Sequence, residues 1–327
     1  MNSPSSSGPA GSDHLPKRDD RPRDLSAFAW LSIAAAIVTI ALKTGAWVIT
    51  GSVGLLSDAA ESVVNLVAAV VALVALKMAI RPADEKFTYG RSKAEYLSAG
   101  IEGLMIFVAA AVILVTSVER FLRPRPLEEV GIGLAVSVAA SVVNGVVALV
   151  LLRAGRTHGS VTLTADGKHL MTDVVTSAGV VLGVLLVWLT KWDRLDAIVA
   201  FAVGVNIIIT GTKLITEAGA GLLDATLPEE ENAAITEVLR RHSKDDVAFH
   251  GLRTRQSGAV RYAHVHVLVP GDWTVQRGHD FVHELEDELQ EAVPGLQVAC
   301  HLEPIEDPES YADMPTAQIQ IHPEDED

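Results

Sequence analysis

Cysteine is almost absent from this chain of 327 residues, in which Cys300 is the single copy. One thiol cannot form an internal disulfide, and it excludes a zinc cluster built from several cysteines. Basic residues are also in the minority, with 26 against 41 acidic ones and a formal net charge of −15. The chain therefore lacks the basic footprint that nucleic-acid binding requires.

The two ends of the sequence lack apolar stretches. Residues 1–25 are rich in serine, proline and charge and contain no apolar core of the signal-peptide type. Residues 305–327 are acidic and contain proline. We expect both segments to be disordered tails. The unpaired Cys300 indicates a reducing compartment for the C-terminal part of the chain.

Long hydrophobic runs are abundant. The chain is 49% hydrophobic and has a mean hydropathy of +0.30, which is unusual for a soluble protein. A helix needs about 20 mostly apolar residues to cross a bilayer. Six segments meet this requirement: 27–50, 53–76, 97–119, 128–152, 164–190 and 194–217. The sequence therefore predicts an all-α membrane domain of six transmembrane helices within 26–220.

The distribution of basic residues predicts the orientation of these spans. With the N-terminus in the cytoplasm, the inner segments hold Lys17, Arg18, Arg21, Arg23, Lys77, Arg81, Lys86, Arg91, Lys93, Arg153, Arg156 and Lys168. The outer loops then hold fewer, namely Arg120, Arg123, Arg125, Lys191 and Arg194. The positive-inside rule favours this arrangement, with both termini cytoplasmic in a cell (inner or plasma) membrane.

Residues 221–304 have the pattern of an aqueous domain. Leu227-Pro228 and three glutamates begin a helix that continues through 231–241. Alternating stretches at 247–256 and 260–269, a helix at 274–292 and a strand at 296–303 follow. The order α-β-β-α-β predicts a small cytoplasmic α+β sandwich.

Two predicted spans carry the same polar pattern. Span two contains Asp58, Glu61 and Asn65, and span five contains Asp166, His169 and Asp173, both with the spacing n, n+3, n+7. These positions share one face of a helix, and ionisable groups in lipid usually mark function. Because i,i+4 side chains are neighbours, two facing helices could surround one small divalent cation with four ligands. We expect these ligands to be Glu61, Asn65, His169 and Asp173.

Other interpretations of the membrane polar residues stay open. Interhelical hydrogen bonding is the common role of isolated polar residues in bundles. Glu102 in span three is consistent with a further ligand, a proton site or an interfacial carboxylate. Asp58, Glu102 and Asp166 are candidate accessory residues. Lys43 is consistent with an interfacial or acid-paired lysine.

Several motifs resemble the cation diffusion facilitator family. They are GSVGLLSDAAESVVN in span two, YGRSKAEYLSAG before span three, ADGKHLMTD in span five, LLDATLP after span six and GLRTRQSG at 251–258. The resemblance covers nearly all of 27–304. It implies a Y-shaped homodimer with a ferredoxin-like, metallochaperone-like cytoplasmic domain. It also implies efflux of a divalent cation in exchange for protons.

The resemblance assigns the transport ligands to Glu61, Asn65, His169 and Asp173. The second pair has the common His-x-x-x-Asp form, whereas family members usually carry His or Asp followed by Asp in span two. An amide and a carboxylate supply only oxygen, which favours manganese or iron(II) over zinc. Zinc, manganese and iron(II) are the expected cargoes, and divalent metal is also a regulatory ligand in this interpretation.

The resemblance also implies sites outside the membrane. Cytoplasmic metal positions of the family correspond to His250, His266, His279, His301 and Glu303. A charge interlock between protomers corresponds to Lys93 and Asp224. A loop zinc site of some members is expected to be absent, because Phe87 and Arg91 occupy its histidine positions beside Asp84.

Two other functions fit parts of the sequence. A membrane metalloenzyme could use His169 and Asp173, although no HExxH motif occurs. A membrane-tethered metal sensor could use the histidine-rich cytoplasmic domain, but it would not need polar patterns in spans two and five. A cation/proton antiporter that is not an enzyme is the function that the sequence favours.

Overall fold

The structure is a computed structural model that describes residues 24–50, 53–123, 132–192, 194–243, 246–312, 318–319 and 321. The side chains of some helical residues lie outside this description, among them Asp58 and Glu61. Most of the predicted N-terminal tail, residues 1–23, also lies outside it.

Six long helices form the first part of the chain. They are α1 (Ser26–Thr50), α2 (Val53–Ala79), α3 (Ala94–Leu122), α4 (Ile132–His158), α5 (Val161–Thr190) and α6 (Arg194–Leu222). All six are long and apolar enough to cross a bilayer. The prediction of a six-helix membrane domain is therefore confirmed.

Small residues allow the helices to approach closely, as is typical of membrane bundles. Ala29, Ala69 and Ala148 are fully buried where α1, α2 and α4 meet α5. The backbones of α3 and α6 approach closely at two glycines. An added Cβ on Gly103 would lie 3.1 Å from the Ile215 nitrogen, and one on Gly211 would lie 3.0 Å from the Phe107 nitrogen. In this bundle α5 packs against α2 and α4, and α3 packs against both α5 and α6.

The cytoplasmic part contains α7 (Glu229–His242), β1 (Ala248–Ser257), β2 (Val260–Val269), α8 (Val275–Ala292) and β3 (Leu296–Pro304). The sheet order is β1-β2-β3, with β1 antiparallel and β3 parallel to β2. The predicted α-β-β-α-β domain is confirmed. The register aligns His250 with His266 and His266 with His301, so that three histidines lie in one row across the sheet.

The segment after β3 corrects one expectation. Residues 305–327 were predicted to be a disordered tail, yet the described part contains a short helix, α9 (Glu309–Ala312). The Ile319 nitrogen donates to the Leu252 carbonyl at 2.8 Å, and Ile319 and Ile321 pack against the domain core. Apolar isoleucines within an acidic segment supply this contact, and pairing with β1 covers part of an exposed strand edge.

Candidate metal centres

One polar group lies inside the helix bundle, between α2 and α5. The Asn65 side-chain nitrogen donates to Asp173 Oδ2 at 2.5 Å, and Asn65 Oδ1 lies 2.9 Å from His169 Nε2. Asn65 and His169 are 5% and 6% exposed. Residues that are more than a hundred positions apart in the sequence thus meet at one point. The structure brings together three of the four predicted ligands, and the Glu61 side chain lies outside the described residues.

A third helix reaches the same carboxylate. Asn144 on α4 is 5% exposed, and its side-chain nitrogen lies 3.4 Å from Asp173 Oδ2. Asn144 is not among the ligands predicted from the sequence. Its buried amide in an apolar span was the available signal. The positive charge of Lys43 on α1 also acts on Asp173.

Two further acids are buried nearer the N-terminal end of α5. Asp166 is 1% exposed and hydrogen-bonded to Ser32, and Glu102 on α3 is fully buried. Ser98 Oγ lies 3.5 Å from Glu102 Oε1. Each acid also has a buried oxygen with no hydrogen-bond partner among the residues that the structure describes, and the two carboxylates interact electrostatically. The predicted accessory residues Glu102 and Asp166 therefore form an acidic pair beside the bundle site, whereas the Asp58 side chain is not described.

The donor types of the bundle site suit a small cation. The Asn65 amide links an imidazole to a carboxylate: its oxygen lies 2.9 Å from His169 Nε2, and its nitrogen donates to Asp173 Oδ2. A divalent cation bound by nitrogen and oxygen at about 2.0–2.2 Å would replace these mutual hydrogen bonds. Partial burial strengthens the attraction between Asp173 and such a cation, because the surroundings screen charge less than water does.

A second candidate centre lies on the cytoplasmic sheet. Glu303 Oε2 is 2.9 Å from His250 Nε2, and Glu303 Oε1 is 3.0 Å from His266 Nδ1. One ligand atom from each residue lies within 4.8 Å of the others. The three side chains are 9%, 10% and 12% exposed, in the order His250, His266 and Glu303. We call these three residues the cytoplasmic cluster.

The other predicted cytoplasmic ligands are placed differently. His301 lies at the margin of the cluster, with Nδ1 3.7 Å from Glu303 Oε1 and a side chain that is 61% exposed. His279 lies on α8, where its ring is 4.4 Å from that of His283, and it does not belong to the cluster found among the described residues of this chain. Within one chain the structure thus brings together three of the five predicted residues and leaves His301 beside them.

His264 is a neighbour of the cluster that the sequence did not indicate as a site residue. Its ring centroid lies 5.3 Å from that of His266, two positions along β2. Burial lowers the pKa of His264, and the nearby His266 acts in the same direction. Its place in an alternating strand, on the same face as His266, was the signal in the sequence.

The loop before α3 and the end of α6 carry ion pairs. The Arg91 guanidinium contacts the Asp84 carboxylate, and this hydrogen bond lowers the pKa of Asp84. Lys93 Nζ lies 2.9 Å from Asp224 Oδ1 in the same chain, and Arg255 contacts the same oxygen at 3.2 Å. The pKa of Asp224 is lowered by these hydrogen bonds, although partial burial acts in the opposite direction. The predicted interlock residues thus meet within one protomer.

Comparisons with known proteins agree with this architecture. The family model described as the cation efflux transmembrane domain matches residues 29–223. The model of the cation efflux protein cytoplasmic domain matches residues 227–305.

Relatives match most of the chain. An uncharacterised transporter of Synechocystis sp. is 50% identical over 284 residues, covering 87% of this chain and 92% of its own length. The cation-efflux pump FieF of Salmonella arizonae is 29% identical over 282 residues, covering 86% and 93%. A solved structure of CzrB is 37% identical and covers 24% of this chain and 96% of its own, with a TM-score of 0.23. The chain is a multi-pass membrane transporter for divalent metal cations and belongs to the cation efflux, or cation diffusion facilitator, family.

Proposed function

We propose that the protein exports zinc, manganese or iron(II) from the cytoplasm in exchange for protons, by alternating access. The observation that supports this proposal is the convergence of Asn65, His169 and Asp173 between two membrane helices. Glu61, one helical turn before Asn65, is the proposed fourth ligand. A metal transporter needs such a site at membrane depth, whereas a sensor with its ligands in the cytoplasm does not.

Proton exchange follows from the chemistry of these ligands. Metal binding requires a neutral imidazole and an ionised carboxylate, so binding from the cytoplasm releases protons. When the site opens to the other side, protons return to His169 and Glu61 and weaken the hold on the metal. His169 is suited to this role because imidazole titrates near physiological pH. Glu102 and Asp166 are proposed accessory groups for the same exchange.

The ligand set favours a cargo that accepts oxygen. Asn65, Glu61 and Asp173 offer oxygen atoms, and His169 offers the one nitrogen. Manganese and iron(II) accept such a set, while zinc prefers more nitrogen or sulfur. Discrimination then depends on transport rate rather than affinity alone, because the carrier must also release its cargo.

The cytoplasmic cluster is proposed to bind a regulatory divalent metal in a homodimer. Its three ligands are held in place by the register of β1, β2 and β3. His301 and His279 are proposed to complete this set. The Lys93–Asp224 pair, which lies within one chain here, is proposed to belong to the protomer interface of the homodimer. Both termini are proposed to lie in the cytoplasm, with the bundle in the inner or plasma membrane.

Transport can be tested with purified protein in proteoliposomes that contain a metal-sensitive dye and a pH-sensitive dye. The proposal predicts metal uptake with simultaneous proton movement in the opposite direction. Metal uptake without proton movement would contradict antiport but leave metal transport intact. No metal movement, with binding retained, would favour the sensor, and hydrolysis of an added substrate would favour the metalloenzyme.

A further inference from the structure

Glu95 is a buried acid in the first turn of α3, with an exposure of 6%. Its Oε2 accepts hydrogen bonds from Ser160 Oγ at 2.5 Å and from the Thr162 backbone N–H at 3.2 Å. Thr162 Oγ1 lies 3.4 Å from the Glu95 carbonyl oxygen. A buried carboxylate is costly unless it is hydrogen-bonded, so these contacts fix its position.

The partners of Glu95 begin the helix that carries half of the bundle site. Ser160 is the N-cap of α5, and its Oγ accepts from the Leu163 N–H at 3.3 Å. The Glu95 carboxylate, which lies on α3, therefore contributes to the N-cap of α5. It also places negative charge at the positive end of the α5 dipole. His169 and Asp173 follow Thr162 on the same helix, at about 10 and 17 Å along its axis.

The residues just before α3 contact the cytoplasmic domain. Ser92 Oγ lies 2.7 Å from Ser257 Oγ at the end of β1. Gly258, in the β1–β2 turn, has a φ of +59°, and an added Cβ would lie 3.2 Å from the Ser92 carbonyl oxygen and 3.5 Å from Glu95 Oε1. The turn that joins β1 to β2 thus lies close to Glu95.

Close packing alone does not hold this junction. A cavity of about 460 Å³ adjoins it and is lined in part by Glu95, Arg156 and Arg261. Hydrogen bonds to one carboxylate therefore connect the N-terminus of α5 to α3 beside an open space. The start of α5 also packs through Leu163 and Ala165, which are fully buried. Loss of the carboxylate should therefore displace the N-terminus of α5 slightly without detaching it from its neighbours.

We propose that Glu95 is a positioning residue for the bundle site. It connects the N-terminus of α5 to α3 beside the β1–β2 turn, and this holds His169 and Asp173 in register with Asn65. The inference rests on the proposed metal transport through these ligands. In this proposal the geometry of the ligands depends on the Glu95 carboxylate, which lies too far along α5 to contact the cation.

The test uses full-length protein with Glu95→Ala, Glu95→Gln and Ser160→Ala. Zinc uptake into proteoliposomes is measured against zinc concentration. Loss of the cap interaction is expected to raise the apparent KM of Glu95→Ala about fivefold. The amide oxygen introduced by Glu95→Gln can still accept from Ser160 and Thr162, so this variant should restore most of the wild-type KM. Ser160→Ala should give a smaller rise, and it tests the same contact if Glu95→Ala does not fold.

The KM distinguishes positioning from a structural role. Partial misfolding lowers the amount of active carrier and hence the maximal rate, but it leaves KM unchanged. Glu85→Ala, which changes an exposed glutamate in the preceding loop, is the matched control and should keep the wild-type KM. An unchanged KM in Glu95→Ala and Ser160→Ala would overturn the proposal, whatever the maximal rates.

A parallel binding measurement separates this inference from the proposed function. Zinc binding by the purified full chain is measured in a Glu303→Ala background, which removes the cytoplasmic cluster. If the wild-type protein binds zinc but does not carry it, the proposed function fails. The Kd then decides the inference: a rise of about fivefold in Glu95→Ala supports it, and an unchanged Kd overturns it.

Discussion

The bundle site and the cytoplasmic cluster use similar ligands on different scaffolds. In the bundle, Asn65 and Asp173 come from two helices that are packed side by side. In the cytoplasm, His250, His266 and Glu303 lie on neighbouring strands joined by a hydrogen-bonded ladder. Helices can shift against one another without breaking backbone hydrogen bonds, whereas strands cannot. The packed helices therefore suit a metal that must be released, and the paired strands suit a metal that stays bound.

The largest expected effect is at Asp173. Replacement by alanine removes the described carboxylate of the bundle site, and transport should fall by at least about a hundredfold. The protein should still insert and dimerise, because the substitution removes no helix contact outside the site. Uptake in proteoliposomes measures the effect, with the exposed Asp272→Ala as control. Wild-type uptake by the variant would show that the bundle site does not carry the cargo.

The cytoplasmic cluster should respond differently to the loss of its carboxylate. Glu303 contacts both His250 and His266, so Glu303→Ala should abolish metal binding by this domain. Transport should fall by only several-fold, about tenfold at most, because the effect is regulatory. Calorimetry and uptake on the same preparation measure both quantities, with the exposed Glu284→Ala as control. A loss of transport as large as that of Asp173→Ala would remove the distinction between the two regions.

A smaller effect is expected for metal selectivity. Asn65→Asp adds a charged ligand and a proton acceptor to the bundle site and should raise zinc transport relative to manganese by about two- to tenfold. The measurement is the ratio of zinc to manganese uptake rates at matched concentrations. Equal ratios in wild type and variant would show that residue 65 does not determine metal selectivity. Neighbours such as Asp166 or Glu102 would then be the residues to test.

The smallest effect concerns Cys300, which is beside His301 on β3 but packs against the domain core. Burial raises the pKa of its thiol to about 12, and Glu286 contributes in the same direction. At pH 8 the reactive thiolate should then be on the order of a thousandfold scarcer than in a free cysteine. Alkylation by iodoacetamide should be correspondingly slow and should accelerate on unfolding. Rapid alkylation of the folded protein would contradict this burial and would place the thiol at the surface, as His301 is.

The sequence predicts the helices and strands well, because each has a clear period and a clear end. The six spans and the α-β-β-α-β order follow from apolar run length and alternation. The meeting of Asn65 with His169 and Asp173 was also predictable, since both helices carry the same polar spacing. Local pattern was sufficient where a residue's role depends on its own helix or strand.

Contacts set by tertiary packing could not be predicted from local pattern. Asn144 reaches Asp173 only because α4 packs beside α5, and Glu95 caps α5 only because α3 begins beside Ser160. Ile319 lies in an acidic segment, and its pairing with Leu252 depends on the open edge of β1. His279 has the same residue type as the cluster ligands, but α8 places it beside His283.

The most direct test of the account is the position of the bound metal. Crystals grown with zinc should show anomalous scattering between α2 and α5, about 2.0–2.2 Å from His169 Nε2 and an oxygen of Asp173. A second peak is expected at His250, His266 and Glu303. A peak at the cytoplasmic cluster alone, with none beside Asp173 under conditions that support transport, would contradict the account.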